Sequence, residues 1–459
     1  MSVPSALHSS LPAACPAETR AEDLRQANAW PWLLFSAVMV LLLAPSFVAN
    51  IRPAQGLIPD FFKEWVSARN YFTGHPVYAN QRESLWRTLK LKPGEGWFEE
   101  YNAHPPSAVL IALPFGLLNY QDAHAAWNLC SLALLALTLW RVSVALQLRW
   151  NLAGWSAVLG LLLVCDPLRQ TINQGQLNLV LLWLLAETWI ADRLGRPLLA
   201  GWWLGWAAAI KLFPAFLFLY FLMRRDWRAI AAGVVSFAAV VGLTTAILGW
   251  QAQIDYVTLA MPALRSMRDA WGNVSLDAFW SRLFDAPSSV VEAWQTQPTW
   301  RIAGTVLSSL ALLGWLITRL RKSDRSRADD AGFSLCVVAM LLLSPITWAH
   351  YFMLLLVPLA IAWRNTATSD LSARKIAFHL VVWSLLLAPR IGWSLAFRLP
   401  PTVSTADYQP PAKRSMWKLD GRVALPIHSL TGLSYQTYAL LALFGLLYVK
   451  RREEVIQPA

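Results

Sequence analysis

The chain has 459 residues and a formal net charge of +12, and 56% of its residues are hydrophobic whereas only 14% are charged. Soluble globular domains are about 45–50% apolar, so this composition excludes a string of soluble domains. The lysines and arginines stand at the ends of apolar runs, which favours membrane topology and contact with anionic lipids over nucleic-acid binding. The four cysteines have neither paired nor metal-ligand spacing, so they indicate no disulfide framework and no zinc site.

In chain order, a Ser-, Ala- and Pro-rich tail is followed by apolar runs of roughly 15–25 residues, which are typical of a polytopic helical membrane protein. The sequence predicts an all-α bundle with a disordered cytoplasmic tail over 1–29, one membrane domain over 30–450 and a cytoplasmic tail over 451–459. About 12 transmembrane spans are predicted, at 30–49, 121–146, 152–166, 176–193, 198–212, 213–223, 227–249, 300–319, 331–345, 346–363, 375–397 and 434–450. Polar outer loops are predicted at 50–104, 250–299 and 398–433.

The basic joints between the runs set the predicted orientation. They lie at 141–149, 193–196, 224–228, 318–327, 364–375 and 450–452. Alternating crossings place all of them on the cytoplasmic side if "PPSAVLIALPFGLL" (105–118) does not cross, and its 14 residues with three prolines favour a short re-entrant helix. Two further runs are broken, at "KLFP" (211–214) and "SPITWAHY" (344–351). Broken helices are tolerated in a bilayer where they line a cavity, so we expect a polar cavity that opens outward.

Two carboxylates stand just after the first apolar run, Asp60 and Glu64 in "GLIPDFFKEW" (56–65). A helix that starts at Asp60 has two stripes, which predicts an amphipathic helix on the outer membrane surface. The apolar stripe is Phe61, Trp65, Ala68 and Phe72, and the polar stripe is Asp60, Glu64, Ser67 and Tyr71. Spacing alone leaves two roles open for Asp60, a helix N-cap after a proline and a catalytic carboxylate.

Two polar motifs on the predicted outer side carry a histidine and several amides. His104 in "YNAHPPSAVL" precedes two prolines, which fix either a structural turn or a site residue. "CDPLRQTINQGQLN" contains Arg169, Gln176 and Asn178. A charge and amides at membrane depth are costly unless they face a cavity, and amides suit sugar hydroxyls because they both donate and accept hydrogen bonds. A hydrogen-bonded contact between helices is the alternative interpretation.

Two more candidates lie at the broken runs. Lys211 in "AAAIKLFP" stands between apolar halves, and a buried, compact cation is a natural anchor for a phosphate. His350 in "SPITWAHYF" is either a packed core residue or a site residue. One topology places all of these groups on the outer half of the bundle, which suits a lipid-phosphate substrate with a polar head.

Five segments, in their order and spacing, resemble glycosyltransferase family 87, a membrane family of the GT-C superfamily that includes polyprenyl-phosphate-mannose-dependent α-mannosyltransferases. The resemblance covers about residues 30–450. The segments are "DFFKEWVSARNYFTGHPVYAN" (60–80), "YNAHPPSAVLIALPFGLL" (101–118), "GQLNLVLLWLLAE" (175–187), "AGWWLGWAAAIKLFPAFLFLYFLMRRDWR" (200–228) and "SPITWAHYFMLLLVPLA" (344–360). The outer loop at 250–299 and the segment 398–433 match nothing in the family pattern, so the acceptor stays open.

The resemblance implies an inverting transfer of a sugar, expected to be mannose, from a polyprenyl-phosphate donor to a hydroxyl of a lipid or glycan acceptor in the cell envelope. Asp60 occupies the family's acidic position and is expected to be the general base, with Glu64 as the reserve carboxylate. Lys211 and Arg169 are expected to face phosphate, and His350 to contact donor or acceptor. The further candidate binding residues are His104, Gln176 and Asn178.

The expected setting is a prokaryotic inner membrane with the active site on the extracytoplasmic side. No cofactor, metal or nucleic-acid partner is expected, because the sequence has no DxD motif and positioned cations can neutralise a monophosphate leaving group. A transporter or flippase of a lipid-linked glycan is the alternative function, since broken helices also suit transporters. A non-catalytic assembly scaffold is the third. Asp60 discriminates among them, because only the transferase needs a base at this position.

Overall fold

The computed structural model describes most of the predicted membrane domain. The described residues are 30–53, 58–91, 100–148, 151–264, 268, 272–285, 296–323, 328–367, 373–387 and 426–448. Both predicted tails, 1–29 and 451–459, lie outside them, as does most of the predicted outer loop 398–433.

Over these residues the chain forms helices and turns, with no strand among them. The helices are α1 Trp30–Ala49, α2 Phe62–Phe72, α3 Gln81–Leu89, α4 Pro106–Ala112, α5 Tyr120–Ala145, α6 Leu152–Val164, α7 Asp166–Gln174, α8 Asn178–Arg193, α9 Pro197–Ile210, α10 Phe218–Arg224, α11 Trp227–Leu248, α12 Trp250–Asp255, α13 Met261–Ala263, α14 Leu276–Phe284, α15 Pro298–Arg321, α16 Asp330–Leu343, α17 Leu356–Ala367, α18 Ala373–Leu387, α19 Pro426–Leu430 and α20 Tyr435–Tyr448. Short 3-10 helices follow α4, α9 and α16, at Leu113–Leu117, Phe213–Leu217 and Ala349–Leu355, and a π-turn over Tyr256–Ala260 joins α12 to α13.

Four of these helices, α1, α5, α11 and α15, are long and apolar enough to cross a membrane on their own, and each coincides with a predicted span. The protein is therefore an integral membrane protein. Several other predicted spans are apolar helices of 10–17 residues, because the chain leaves helical geometry near their ends. The count of 12 spans stays a prediction.

The two predicted breaks lie where the sequence places them. After α9, Lys211 is extended, with φ −143° and ψ 135°, and Pro214 stands in the 3-10 turn that follows. After α16, Ser344 is extended, and helical structure resumes only at the 3-10 turn that begins at Ala349. In both places a proline in or before the new turn cannot supply the N–H that a continuous helix requires.

The broken helices and the basic joints lie at opposite ends of the bundle. Helix α8 begins beside the second break, where Asn178 Nδ2 donates a 3.1 Å hydrogen bond to the His350 carbonyl. It is 16 residues long and ends at Arg193, which corresponds to about 24 Å along the helix axis. Helix α9 then returns to the first break at Lys211. The bundle thus has one end that carries the breaks and one end that carries arginines.

Ion pairs join the arginine-rich joints to one another at the second end. Distances between the charged atoms are 2.8 Å for Arg141–Glu187, 2.8 Å for Arg224–Asp192, 2.9 Å for Arg319–Asp329 and 3.7 Å for Arg364–Asp330, and Arg193 also pairs with Asp330. These pairs connect the ends of α5, α8, α10, α15, α16 and α17. Five of the six joints that the sequence assigns to one membrane side therefore share one end of the fold, and the sixth, 450–452, lies outside the described residues.

The segment 106–117 begins and ends beside α2. Near its end, the Trp65 indole donates a 3.1 Å hydrogen bond to the Leu118 carbonyl, and Arg69 donates one of 3.1 Å to the Gly116 carbonyl. At its start, Asn102, four residues before Pro106, bonds Ser67 of the same helix at 3.2 Å. A short helix with both ends beside the same neighbouring helix is what a re-entrant segment requires. That this segment does not cross the membrane stays a prediction.

Helix α2 differs in its surroundings from the predicted surface helix. It begins at Phe62, two residues later than expected, and the middle of its polar stripe is buried as well as the middle of its apolar stripe. Glu64 is 3% exposed and Ser67 1%, because residues 100–106 and α3 pack over that side and hydrogen-bond to it. The helix is thus covered by protein on both stripes except at its last turn, where Tyr71 and Phe72 are exposed.

The hairpin of α9 and α11 packs through small residues. A Cβ atom at Gly201 would lie 2.0 Å from the Ala229 carbonyl oxygen, and one at Gly205 would lie 2.3 Å from the Gly233 carbonyl oxygen. Glycine lets the two backbones approach to this separation, as at many helix contacts in membranes. The close contact fixes α9, which ends just before Lys211, against α11.

We expect Gly205→Ala to lower the melting temperature of the detergent-solubilised protein, because its methyl group overlaps the neighbouring backbone. Overpacking of this kind costs about 1–3 kcal/mol. Gly242→Ala on α11 is the matched control, since nothing lies within 4 Å of its Cβ position. Scanning fluorimetry of both variants provides the measurement, and equal melting temperatures would contradict the packing described for this hairpin.

Candidate active site

A cavity of about 590 Å³ lies at the end of the bundle where the two broken helices stop. Its walls come from the first loop, α7 and the turn after it, both breaks and the segment that follows α12. The polar and aromatic lining residues are Asp60, Lys63, His104, Gln170, Gln174, Gln176, Lys211, Phe213, Tyr256, Arg268, Ser344, Trp348, His350 and Tyr351. A volume of this size accommodates a sugar-sized ligand.

The carboxylate of Asp60 faces this cavity and is held by two neighbours. Its Oδ2 accepts a 2.8 Å hydrogen bond from Gln176 Nε2, and its Oδ1 lies 3.6 Å from Lys63 Nζ. The side chain is 37% exposed. The N-cap residue of α2 is Phe61, and it makes no side-chain cap hydrogen bond. Of the two roles that spacing leaves open, the structure therefore gives Asp60 a place on the cavity wall rather than a helix cap.

The turn that carries Gln176 is fixed against the residue after Asp60. The Phe61 N–H donates a 2.8 Å hydrogen bond to the Gln174 carbonyl. Gly175 ends α7 in the left-handed region, with φ +62°, where glycine is strongly favoured. A Cβ atom there would also lie 2.6 Å from Phe61 Cβ. Both facts make glycine necessary for placing the Gln176 amide on the Asp60 carboxylate.

Lys211 lies in the cavity wall at the first break and is 5% exposed. Its ammonium nitrogen is 4.2 Å from the centroid of the Tyr351 ring and 5.9 Å from that of the Phe213 ring, and these two rings stack at 5.4 Å. Aromatic faces attract a cation through their quadrupole. The break thus holds a positive charge in an apolar wall, where it acts strongly on an anion.

The second break is held open by two buried asparagines. Asn178 donates to the His350 carbonyl. Asn273 donates 2.8 Å to the Pro345 carbonyl and accepts 2.9 Å from the Thr347 N–H. These bonds satisfy backbone groups that the interrupted helix releases. The His350 ring, stacked at 6.4 Å on the Trp348 ring, is thereby presented at the cavity.

His104 also faces the cavity, but Glu64 does not. The His104 Nδ1 bonds Glu64 Oε1, and the two side chains are 13% and 4% exposed. Glu64 lies behind His104, as seen from the cavity. Next to them, burial raises the pKa of the Tyr78 phenol well above its usual range and raises that of Tyr256 to about 12, so both hydroxyls stay neutral at physiological pH.

The sequence profile of glycosyltransferase family 87 matches residues 102–345, which is more than half of the chain. The chain belongs to glycosyltransferase family 87. The match begins after Asp60 and ends before His350, so these two cavity residues lie outside it. No solved structure matches this enzyme.

The similarity to individual relatives covers more residues than the family profile does. This glycosyltransferase is 25% identical over 344 residues, 70% of this chain and 73% of the relative, to the polyprenol-phosphate-mannose-dependent alpha-(1-2)-phosphatidylinositol mannoside mannosyltransferase of Mycolicibacterium smegmatis. It is 30% identical over 310 residues, 65% and 68% of the two chains, to the corresponding phosphatidylinositol pentamannoside mannosyltransferase of the same organism. The pentamannoside enzyme of Mycobacterium tuberculosis is 29% identical over 320 residues, 65% of each chain.

The structure brings five of the eight candidate residues of this glycosyltransferase together on the cavity wall, namely Asp60, His104, Gln176, Lys211 and His350. The other three, Glu64, Arg169 and Asn178, do not line the cavity. On α7 the cavity-facing residues are Gln170 and Gln174, which are four positions apart and share a helix face. Arg169 is therefore turned away by about 100° from Gln170.

Several cavity residues of the enzyme were not among the sequence candidates. Gln170 could have been found from its spacing to Gln174, and Lys63 from its spacing to Asp60. Tyr256 and Arg268 carry no such signal, since a turn and a loop bring them to the wall. Arg268 donates 2.7 Å to Asp277. With Lys63, it adds positive charge to a wall that already contains Lys211.

We expect Gln176→Leu to slow glycosyl transfer by roughly 10–100-fold, because a hydrogen bond to a charged group is worth about 1.5–3 kcal/mol and this one orients the Asp60 carboxylate. Gln251→Leu is the matched control, since it removes a similar 2.7 Å bond, to Asp255, at an exposed site outside the cavity. Rates measured in membranes at equal expression test the prediction. Full activity of Gln176→Leu would show that the amide does not orient the carboxylate.

Proposed function

We propose that this glycosyltransferase moves mannose from a polyprenyl-phosphate donor to a hydroxyl of a membrane glycolipid, with Asp60 as the general base. The observation that carries the proposal is the Asp60 carboxylate on the wall of a cation-lined cavity, held by Gln176. The names of the relatives support the donor, because each is described as polyprenol-phosphate-mannose-dependent. Their phosphatidylinositol mannoside acceptors indicate the class of acceptor, a lipid-linked glycan.

The cationic side chains of the cavity suit the phosphate of the donor. Lys211 is almost fully buried, and burial in an apolar wall strengthens its attraction for an anion. His350 and Arg268 line the same space. A phosphodiester carries one negative charge, and a second one develops as the sugar leaves. Fixed cations attract the phosphate more strongly as this second charge develops. They therefore stabilise the transition state more than the bound donor, and this difference accelerates the reaction.

The proposed step is a single displacement at the anomeric carbon. Asp60 takes the proton of the acceptor hydroxyl while the acceptor oxygen bonds to C1 of mannose. The bond from C1 to the phosphate oxygen breaks, and its electron pair leaves with polyprenyl phosphate. Attack from the side opposite the phosphate inverts the anomeric centre. Gln176 orients the carboxylate by donating a hydrogen bond to it, and the Lys63 ammonium group lies 3.6 Å from its other oxygen.

The cavity lies at the end of the bundle opposite the arginine-rich joints. Positive charge between spans marks the cytoplasmic side, so we place the cavity on the extracytoplasmic side of a prokaryotic inner membrane. The donor lipid then reaches the cavity from the outer leaflet. Its isoprenoid chain stays in the bilayer while the phosphate and sugar enter between the broken helices.

We expect Asp60→Asn to reduce mannose transfer by about 10²–10⁴-fold, because the amide cannot accept the proton. Labelled polyprenyl-phosphate mannose and membrane glycolipid are supplied to membranes with matched expression. Asp122→Asn is the control, since Asp122 is a half-exposed carboxylate paired with Arg52 outside the cavity lining. Transfer that survives Asp60→Asn would remove the general base from this position, and no transfer by the wild type would favour a transporter of lipid-linked glycans.

The sidedness can be tested with single cysteines in a chain that lacks its four native ones. Arg82 on α3 and Arg196 between α8 and α9 are both exposed, and they stand at opposite ends of the bundle. We expect a membrane-impermeant maleimide to label Arg82→Cys on intact cells and to label Arg196→Cys only after lysis. The reverse pattern would place the cavity on the cytoplasmic side.

A further inference from the structure

Glu64 and His104 form a hydrogen-bonded pair beside the cavity, and the proposed step does not use it. Glu64 is buried in α2, with a side chain that is 4% exposed, and accepts a hydrogen bond from His104 Nδ1. His104 itself lines the cavity. One partner of the pair is thus sealed from substrate, and the other faces it.

The backbone of His104 is fixed on both sides. Its N–H donates 3.0 Å to Asn102 Oδ1, and its carbonyl accepts from the Tyr78 hydroxyl. The side-chain amide of Asn102 in turn donates a 3.1 Å hydrogen bond to the Lys63 carbonyl of α2. Pro105 follows directly and restricts the backbone of His104 to extended conformations. The imidazole therefore has a set position and a set orientation.

The hydrogen bond between His104 Nδ1 and Glu64 determines which ring nitrogen remains for a ligand. Because Glu64 accepts from Nδ1–H, Nε2 is the nitrogen left for the cavity. In the protonated form of the ring, Nε2 also carries a hydrogen and can donate it to a ligand in the cavity. A buried carboxylate needs such a partner, since an uncompensated buried charge is strongly destabilising. The arrangement is that of a cationic donor with its counter-ion placed out of reach of the substrate.

We propose that Glu64 is a positioning residue that keeps His104 as an imidazolium, and that His104 Nε2–H donates a hydrogen bond to the phosphate oxygen from which mannose departs. The proposal rests on the proposed mannosyl transfer. It also moves Glu64 from the role of reserve base to that of support for a second catalytic residue.

The step balances without any further reactant. The C1–O bond to phosphate breaks and its electron pair stays on the phosphate oxygen, which turns a phosphodiester monoanion into a phosphate monoester dianion. The acceptor proton goes to Asp60. The Nε2–H hydrogen bond strengthens as negative charge grows on the phosphate oxygen, so it stabilises the transition state more than the bound donor.

Several other groups that titrate or carry charge surround the pair and contribute to its electrostatics. They are Asp60 and Lys63 on the segment of α2, Tyr78 beside the His104 carbonyl, and Tyr256, Arg268, Lys211 and His350 on the other walls of the cavity. Glu64 is the group that bonds the ring itself, so substitution at Glu64 is the direct test.

We expect Glu64→Gln, which keeps a hydrogen-bond acceptor but removes the charge, to change the pH dependence of kcat. Without the carboxylate the imidazolium loses its proton at lower pH. Transfer should then be within about twofold of the wild type near pH 6 and roughly tenfold lower near pH 8. In a His104→Gln background, which lowers kcat by roughly 10²-fold, the same Glu64→Gln change should have no pH-dependent effect.

A spectroscopic readout separates this proposal from the mannosyl-transfer proposal. In protein labelled with ¹³C-histidine, the His104 signal is the one lost in His104→Gln. It should titrate at lower pH in Glu64→Gln than in the wild type, whether or not the wild type transfers mannose. An unchanged titration of that signal would overturn the proposal. So would an equal loss of kcat at every pH in Glu64→Gln, which indicates a structural tie, or a greater loss at low pH, which indicates a neutral ring.

Discussion

The site depends on one constraint: a helix that stops inside a packed bundle releases peptide groups that must find partners there. At the second break these partners are the amides of Asn178 and Asn273, which bond the backbone between Pro345 and His350. Without them, these buried backbone groups would lack partners, at a cost of about 1–3 kcal/mol each. The two buried amides therefore stabilise the break that borders the cavity.

The same constraint explains why the charges of the site come from different parts of the chain. Lys211 is extended because α9 stops before it, and its ammonium group lies against Tyr351 of the other broken run. Asp60 and His104 come from the first loop, on either side of the enclosed helix α2. No single helix face could place an acid and several cations around one volume. The breaks allow this arrangement, because the chain segments after the helix ends, rather than the sides of helices, line the cavity.

Sequence reasoning predicted the helical class, the four long spans, both breaks and five of the eight candidate residues at the cavity. Hydropathy and proline positions are local signals, so they report spans and breaks directly. The other three do not line the cavity, for reasons of tertiary structure. Arg169 is one position away from the cavity-facing side of α7, and no local pattern tells which side that is. Asn178 has the expected polarity but bonds backbone rather than lining the cavity, and Glu64 lies behind His104, which is 40 residues away in sequence. Tyr256 and Arg268 reach the wall through a turn and a loop for which the sequence offers no periodicity.

The contact between Gly175 and Phe61 has a mechanical consequence. Because a glycine hydrogen stands where a methyl group would collide with Phe61 Cβ, and because the Phe61 N–H is bonded to the Gln174 carbonyl, the loop before α2 and the turn after α7 cannot slide past each other. Asp60 and Gln176 therefore keep their relative positions. A wall movement that admits a ligand has to occur in another part of the cavity lining.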